Sequence, residues 1–120
     1  MPISRVFAER NAKQLHIAET EKYAHVTYFF NGGREKAFVG EDRILIDSQK
    51  VKSYDLAPEM SAEKITKQLL ARINTRSYDF IVANYANADM VSHSGNIEQT
   101  MKAVKIIDAQ LGLIVKETLA

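Results

Sequence analysis

Apolar residues recur along this chain at spacings that alternate between helical and extended. Near the start, Ile3, Val6 and Phe7 would share one face of a short helix, because three and four residues make about one helical turn. The following residues, Leu15-His16-Ile17-Ala18, have the composition of a short strand. The first twenty residues therefore predict a helix followed by a strand.

The next segment carries two competing signals. Thr20 is placed to cap a helix over residues 21–30, whose apolar positions fall on one face, and Asn-Gly-Gly at residues 31–33 would end it. Residues 26–30 also have the β-branched and aromatic composition of a strand. We expect the helix and keep the strand as the alternative.

The middle of the chain predicts one strand and one clear helix. Arg43-Ile44-Leu45-Ile46 predicts one good strand inside a stretch that otherwise carries loop signals. Ser61 can serve as the N-cap of a helix in which Ile65, Leu69 and Ile73 recur every four residues.

The last third predicts the best strand and the longest helix. Residues 78–83 have a continuous apolar centre, which predicts burial on both faces as in a parallel sheet. Residues 96–99 fit a capping box that opens the final helix. The predicted core face of that helix comprises Ile97, Met101, Val104, Leu111 and Ile114.

The predicted order is therefore roughly α-β-α-β-α-β-α. Alternation of this kind favours an α/β fold, with a mostly parallel sheet and helices on both faces. With 120 residues, the chain has the length of one ordinary domain.

Composition and charge exclude several classes of protein. A hydrophobic fraction of 46% and a charged fraction of 26% are globular values. The net charge of +1, without a long basic block, gives no support to nucleic-acid or membrane-surface binding. The absence of cysteine excludes disulfides and a thiol nucleophile, and the apolar runs are too short for a bilayer span. Since the first residues also lack a secretory signal, we expect a cytoplasmic chain.

The strongest candidate chemistry follows the strand predicted at residues 78–83. Asp89 and His93 lie four residues apart, and ligands in open α/β sheets gather beyond the carboxyl ends of the strands. A carboxylate oxygen and an imidazole nitrogen suit manganese or zinc better than calcium. A metal site needs three or four protein ligands, however, and only these two have convincing spacing. Taken alone, Asp89 would equally fit a loop residue that binds its own backbone, and His93 a surface histidine.

Four blocks of the chain resemble signatures of the cofactor-independent phosphoglycerate mutases. They are residues 18–33, which include Glu21-Lys22-Tyr23-Ala24-His25; residues 40–43; residues 54–61; and Asp89-Met90-Val91-Ser92-His93. The blocks occur in the family's order and cover almost the whole chain. The resemblance implies an alkaline-phosphatase-like, three-layer segment with a mostly parallel sheet.

The resemblance also implies chemistry. Members of this family interconvert 3-phosphoglycerate and 2-phosphoglycerate through a phosphoserine, using two Mn²⁺ ions, in a domain interrupted by a phosphotransferase insertion. Asp89 and His93 match a pair that ligates one of the two metals. Lys22 matches a lysine that reaches the phosphoryl group, although on its own it would fit an ordinary solvated lysine. The metal is implied as manganese by the family, whereas coordination chemistry alone would also allow zinc.

Other parts of the family's machinery have no counterpart in these residues. The nucleophilic serine, the third ligand of this metal, the ligands of the second metal and the inserted substrate pocket are all missing. We therefore expect residues 1–120 to form a partial phosphatase-like, metal-binding domain without the insertion, inactive alone and with unpaired apolar surface that favours self-association. The alternatives are a noncatalytic truncated or self-associating module, or another phosphohydrolase of the alkaline-phosphatase superfamily.

The remaining candidates have structural explanations. His16 and His25 fit packing or hydrogen-bonding roles. Ser61 begins a Ser-x-x-Lys pattern whose partner motifs are absent, so we expect it to be a helix cap. Ser92 and Ser94 lie near the proposed metal but match no nucleophile. Three positions depart from the family pattern: Asp47 and Ala88 replace prolines, and Ser92 replaces a glycine.

Overall fold

The computed structural model describes all of residues 1–120 as alternating helices and strands. The helices are α1 (Ile3–Glu9), α2 (Thr20–Val26), α3 (Ala62–Thr75), α4 (Asn87–Ser92) and α5 (Ile97–Leu119). The strands are β1 (Gln14–Glu19), β2 (Glu41–Ile46) and β3 (Phe80–Asn84), and a short 3-10 turn spans Tyr54–Leu56. The α/β class predicted from the sequence is confirmed. None of the helices combines the length and the apolarity needed to cross a bilayer.

The three strands form one parallel sheet in the order β2-β1-β3. Gln14 of β1 is level with Glu41 of β2 and with Phe80 of β3, so all three strands end at the same edge. The chain leaves β1 for β2 on one side and then crosses to β3 on the other. This reversal is the arrangement in which α/β proteins place their ligands.

One face of the sheet packs against an apolar layer. Ile17 of β1 is fully buried against Ile65 and Leu69 of α3, and Ile114 of α5 packs on the same cluster. The four-residue spacing of the apolar positions in α3 places them on the side that meets the sheet. The helix expected after Ser61 is thus confirmed, as is its role in the core.

The opposite face is packed by α1 and α2 and contains a buried polar network. His16 of β1 contacts the carbonyl oxygen of Val26 through Nδ1 at 2.6 Å and Gln14 Oε1 through Nε2 at 3.1 Å. Gln14 in turn donates from Nε2 to the carbonyl oxygen of Ser4, at 2.8 Å. The rings of Phe7 and Phe80 stack with centroids 4.6 Å apart. His16 therefore has the packing and hydrogen-bonding role expected of it.

The segment after β1 differs from its prediction at both ends. Thr20 is the first residue of α2 rather than its cap, because its hydroxyl accepts a hydrogen bond from Ser48 N at 3.1 Å. The helix ends at Val26, and residues 27–32 form turns instead of completing the predicted helix. No strand forms over residues 26–30, so the helical alternative is correct for its first part only.

Two expectations about burial are wrong. The fully buried strand is β1, whereas β3 is the outer strand and is only partly covered. In α5, the buried position is Ala103, and most of the predicted core face is exposed. Apolar residues occupy much of the circumference of α5, so their spacing alone could not identify the side that meets α3 and α4.

The predicted starts of α3 and α5 are confirmed in position. Asn96 caps α5 by accepting a hydrogen bond from Gln99 N at 3.1 Å. Ser61 precedes α3, but its hydroxyl donates to the carbonyl oxygen of Asp47 at 2.8 Å and accepts no hydrogen bond from the N–H groups of the helix. The Ser-x-x-Lys pattern therefore has a structural explanation here.

Candidate functional site

The predicted site residues come together at the carboxyl edge of the sheet. Lys22 lies in the first turn of α2, directly after β1, and Asp89 lies in the first turn of α4, after β3. Because β1 and β3 are paired neighbours, the two helices begin side by side. Lys22 Nζ donates a hydrogen bond to Asp89 Oδ2. The sequence predicted each residue separately, and the structure joins them.

The helical turn of α4 aligns Asp89 with His93. The backbone N–H of His93 donates to the carbonyl oxygen of Asp89 at 3.2 Å, so the two side chains project from the same side of one turn. Asp89 Oδ1 lies 3.4 Å from His93 Nε2. Their side chains are 49% and 69% exposed, so both groups are accessible from solvent.

Contacts with basic side chains favour the ionised form of the Asp89 carboxyl. The hydrogen bond from Lys22 is the main cause that lowers the pKa of Asp89, and positive charge on His93 and His25 adds to the effect. Lys22 is only 14% exposed, so its apolar stem is covered while its ammonium reaches the carboxylate. The site thus holds one carboxylate, one imidazole and one ammonium group.

These 120 residues do not bring three potential metal ligands together. No group of three or more histidine, aspartate or glutamate side chains is placed to hold a metal ion. Asp89 and His93 fit two positions of a coordination shell, since cis ligands of an octahedral ion at about 2.1 Å lie about 3 Å apart. His25 also contributes to lowering the pKa of Asp89, but it does not form a group of three potential ligands with Asp89 and His93.

The two nearby serines are occupied by backbone carbonyls. Ser92 Oγ donates to the carbonyl oxygen of Asp89 at 2.8 Å, and Ser94 Oγ to that of Val91 at 2.6 Å. Ala88 and Ser92 lie inside α4, where a proline or a glycine is not required by the backbone. Nothing in the structure explains the aspartate side chain at position 47.

A second group of polar residues behind the site was not predicted. Glu19, the last residue of β1, is fully buried, and its carboxylate accepts hydrogen bonds from Ser48 Oγ at 2.8 Å and Ser61 N at 3.3 Å. Burial raises the pKa of Glu19, and these two hydrogen bonds oppose the rise. An acidic residue that directly continues an apolar strand was the available signal for this group.

Another residue missed by the sequence lies at the start of α4. Asn87 is fully buried, and its Nδ2 donates to the carbonyl oxygens of Pro58 and Glu59, both at 2.8 Å.

The first turn of α2 also contacts the 3-10 turn, since Glu21 accepts a hydrogen bond of 2.7 Å from Tyr54 Oη. Burial, followed by this contact with Glu21, raises the pKa of Tyr54.

Comparison with known proteins gives a consistent result. The family model described as "Metalloenzyme superfamily" matches residues 3–119. The 2,3-bisphosphoglycerate-independent phosphoglycerate mutase of Anaplasma phagocytophilum is 60% identical over 109 residues, which cover 91% of this chain and 22% of that protein. The enzyme of the same name from Thiobacillus denitrificans is 57% identical over 113 residues, or 94% of this chain and 22% of that protein.

A solved structure has the same fold. The crystal structure of Leishmania mexicana phosphoglycerate mutase at low cobalt concentration superposes with a TM-score of 0.93 and 26% sequence identity. The match covers 96% of this chain and 21% of the Leishmania protein. This chain therefore spans about a fifth of the length of the relatives that it matches.

Proposed function

The chain belongs to the metalloenzyme superfamily, and from that membership we propose that it forms part of the metal-binding domain of a 2,3-bisphosphoglycerate-independent phosphoglycerate mutase. The observation that carries the proposal is the convergence of Lys22, Asp89 and His93 at the carboxyl edge of the sheet. In the whole enzyme, the reaction would interconvert 3-phosphoglycerate and 2-phosphoglycerate by phosphoryl transfer. Residues 1–120 would correspond to the phosphatase-like part, without the phosphotransferase insertion.

Asp89 and His93 are the proposed metal ligands. Their ligand atoms, Oδ1 and Nε2, are near the separation of cis positions around one ion, and oxygen–nitrogen donor sets suit Mn²⁺. When bound, such an ion would supply Lewis-acid stabilisation to phosphoryl oxygens. The Asp89 carboxylate is ionised at neutral pH, as a metal ligand must be, and its lowered pKa extends that state to more acidic conditions.

Lys22 is the proposed phosphoryl-binding residue. Asp89 holds the Lys22 ammonium beside the ligand atoms, so a phosphoryl group bound there would meet a positive charge. Such a charge, fixed in advance, offsets the negative charge that spreads over the phosphoryl oxygens during transfer. The covered stem of Lys22 supports this role because it limits the positions that the ammonium can reach.

We propose that the 120 residues alone have neither mutase nor phosphatase activity. Only two ligands of one metal converge, and the hydroxyls of Ser92 and Ser94 are engaged by backbone carbonyls. Groups that act as a unit in catalysis leave only small residual rates when some of them are missing. A cytoplasmic location is proposed from the glycolytic activity expected of the whole enzyme.

A segment exchange tests the proposed function. The matching part of the Anaplasma enzyme is replaced by residues 3–119 of this chain, and 3-phosphoglycerate turnover and phosphate release are measured with Mn²⁺. We expect mutase activity that is abolished by Asp89→Ala and retained with Asp108→Ala, an exposed aspartate on α5. A folded chimera without turnover would contradict the proposal, and phosphate release without isomerisation would indicate the phosphohydrolase alternative.

A further inference from the structure

A turn at residues 58–61 is hydrogen-bonded to the first residue of α4 and to Glu19, the residue immediately before α2, and these two helices carry Asp89 and Lys22. On one side, Asn87 Nδ2 donates to the carbonyl oxygens of Pro58 and Glu59, each at 2.8 Å. Asn87 is the first residue of α4 and precedes Asp89 by two positions. Because Asn87 is fully buried, water does not compete for these hydrogen bonds. The start of α4 is therefore tied directly to the turn.

On the other side, the turn is bonded to the end of β1. The backbone N–H of Ser61 donates to Glu19 Oε1 at 3.3 Å, and Ser48 Oγ donates to Glu19 Oε2 at 2.8 Å. Glu19 immediately precedes α2 and lies three residues before Lys22. A buried carboxylate is costly unless its oxygens accept hydrogen bonds, so these two donors stabilise one position of the chain at this point.

The backbone of the turn is strained at Met60 and is held by hydrogen bonds to the segment after β2. Met60 has φ +43°, in the left-handed region that a non-glycine residue adopts only at a cost. Its carbonyl oxygen accepts a hydrogen bond of 2.6 Å from Gln49 Nε2, and Ser61 Oγ donates to the carbonyl oxygen of Asp47 at 2.8 Å. The segment after β2 thus holds the turn in its strained conformation. Strain that persists under such constraint is typical of functional sites.

We propose that residues 58–61 form a brace that fixes the Lys22 ammonium against Asp89, with Glu19 and Asn87 as its two positioning residues. Neither residue touches the proposed metal or phosphoryl group. Glu19 fixes the start of α2 and thereby the position of the Lys22 ammonium. Asn87 fixes the start of α4 and thereby the position of the Asp89 carboxylate. The catalytic consequence of the brace rests on the proposed function, whereas its geometric effect belongs to this chain alone.

The geometric effect is measured by spin labels on α2 and α4. The chain has no cysteine, so Ala24→Cys and Ser92→Cys, both at exposed positions, give two unique labelling sites. Pulsed electron–electron double resonance then gives the distribution of distances between the spin labels on the two helices. We expect a narrow distribution in the labelled parent and a broader or shifted one after Asn87→Ala or Glu19→Gln.

Matched controls come from the opposite end of the sheet. Gln14 is a fully buried amide that donates to a backbone carbonyl, as Asn87 does, and Glu41 is a buried carboxylate like Glu19. Gln14→Ala and Glu41→Gln should destabilise the fold and leave the distribution narrow. If Asn87→Ala does not fold, Ser48→Ala provides the test, because it removes a single hydrogen bond to Glu19. A narrow distribution in folded brace variants, or equal broadening in the controls, would overturn the proposal.

The catalytic consequence is measured in the Anaplasma chimera. We expect Glu19→Gln and Asn87→Ala to lower kcat by about tenfold to a hundredfold, with KM unchanged, since misplacement of a catalytic group by about 1 Å can cost that much. Glu41→Gln should leave kcat unchanged. An inactive parent chimera would contradict the proposed function and leave the spin-label result intact. An active chimera whose kcat is insensitive to both brace substitutions would contradict the brace.

Discussion

At the scale of single residues, Lys22 combines a covered stem with a charged end that reaches the carboxylate of Asp89. Truncation to alanine would remove packing as well as charge, so Lys22→Met is the better test because it keeps the stem. In the chimera we expect kcat to fall by on the order of a hundredfold or more, as for loss of one preorganised charge at a reacting group.

The matched control is Lys67→Met, at an exposed position on α3. We expect it to leave both turnover and the melting temperature near those of the parent, since surface substitutions usually change stability by less than about 0.5 kcal/mol. Normal turnover in the Lys22 variant, or an equal loss in the Lys67 variant, would count against a chemical role for Lys22.

Asp89 and His93 should bind Mn²⁺ weakly in the isolated chain. Two ligands leave most of the coordination shell to water, so we expect a Kd of roughly 1 mM or weaker, which corresponds to a binding free energy no more favourable than about −4 kcal/mol. Lys22→Met should tighten binding, because the ammonium competes with the ion for the Asp89 carboxylate. Isothermal titration calorimetry on the chain and its variants measures both effects.

The controls for metal binding are substitutions of the ligands and of a remote carboxylate. Asp89→Ala and His93→Ala should each abolish the residual binding, whereas Asp108→Ala, on the exposed side of α5, should not. Tight Mn²⁺ binding that survives loss of both Asp89 and His93 would refute the assignment of these residues as ligands.

Glu41 should make the fold sensitive to acid. Burial acts to raise the pKa of Glu41, but hydrogen bonds from Phe38 N and Arg43, the charge of His16 and the amide of Asn31 outweigh burial and lower it below 4.5. Below that value, the unfolded state takes up a proton more readily than the folded state does. The stabilisation by the Glu41 carboxylate is therefore complete above pH 4.5 and is lost as the pH falls through the lowered pKa.

Urea unfolding of the chain and of Glu41→Gln, from about pH 6 to pH 3, isolates this contribution. We expect the free-energy difference between the two proteins to be largest at the upper end and to shrink below pH 4.5. Burial lowers the pKa of His16 from 6.5, so the unfolded state protonates this residue first. In both proteins, His16 therefore reduces stability as the pH falls below 6.5. A difference that is constant with pH would contradict the role of Glu41.

At the scale of elements, α5 depends on its N-cap, the residue that precedes its first turn. Asn96 Oδ1 accepts a hydrogen bond from Gln99 N at 3.1 Å, and loss of an N-cap typically costs about 1 kcal/mol. We expect Asn96→Ala to lower the free energy of unfolding by about that amount, as measured by urea denaturation. Asn96→Ser should retain most of the stability of the parent, because serine is also a good N-cap. Equal losses in both variants would show that the contact of Asn96 with Asp55, and not the cap, is what matters.

The elements could be predicted wherever one spacing dominates. The apolar positions of α3 recur on one face, and β1 and β2 each contain a short group of apolar residues typical of strands, so all three were found. Helix α4 spans only residues 87–92, too short for a helical period to be visible in the sequence. In α5 the apolar residues surround much of the helix, and tertiary packing alone selects Ala103 as the buried position.

The site was predictable in its local part only. Asp89 and His93 are four residues apart, so one helical turn brings them together wherever the helix lies. The pairing of Lys22 with Asp89 joins residues 67 positions apart and depends on β1 and β3 being neighbours. Nothing in the spacing of the sequence specifies strand order, and the same holds for the buried contacts of Glu19 and Asn87.

At the scale of the whole molecule, the sheet order places the candidate site at one end and leaves apolar surface elsewhere. β3 is an outer strand, and beside it α3 and α5 enclose a groove of about 560 Å³ lined mainly by apolar side chains, including Phe80, Leu111 and Ile114. Several apolar side chains of α5 are exposed, namely Met101, Val104, Leu113 and Val115. Exposed strand edges and contiguous apolar surface both favour association with another chain.

We therefore expect the 120-residue chain to self-associate as its concentration rises. Sedimentation velocity over a dilution series should show dimers or larger species that dissociate on dilution. Leu111→Glu, which places a charge in the groove beside β3, should shift the equilibrium towards the monomer. Leu56→Glu is the matched control, because Leu56 is 69% exposed on the 3-10 turn, outside the residues that line the groove. A parent chain that stays monomeric at high concentration would refute the prediction, and equal dissociation by both variants would show that the groove and α5 are not the associating surface.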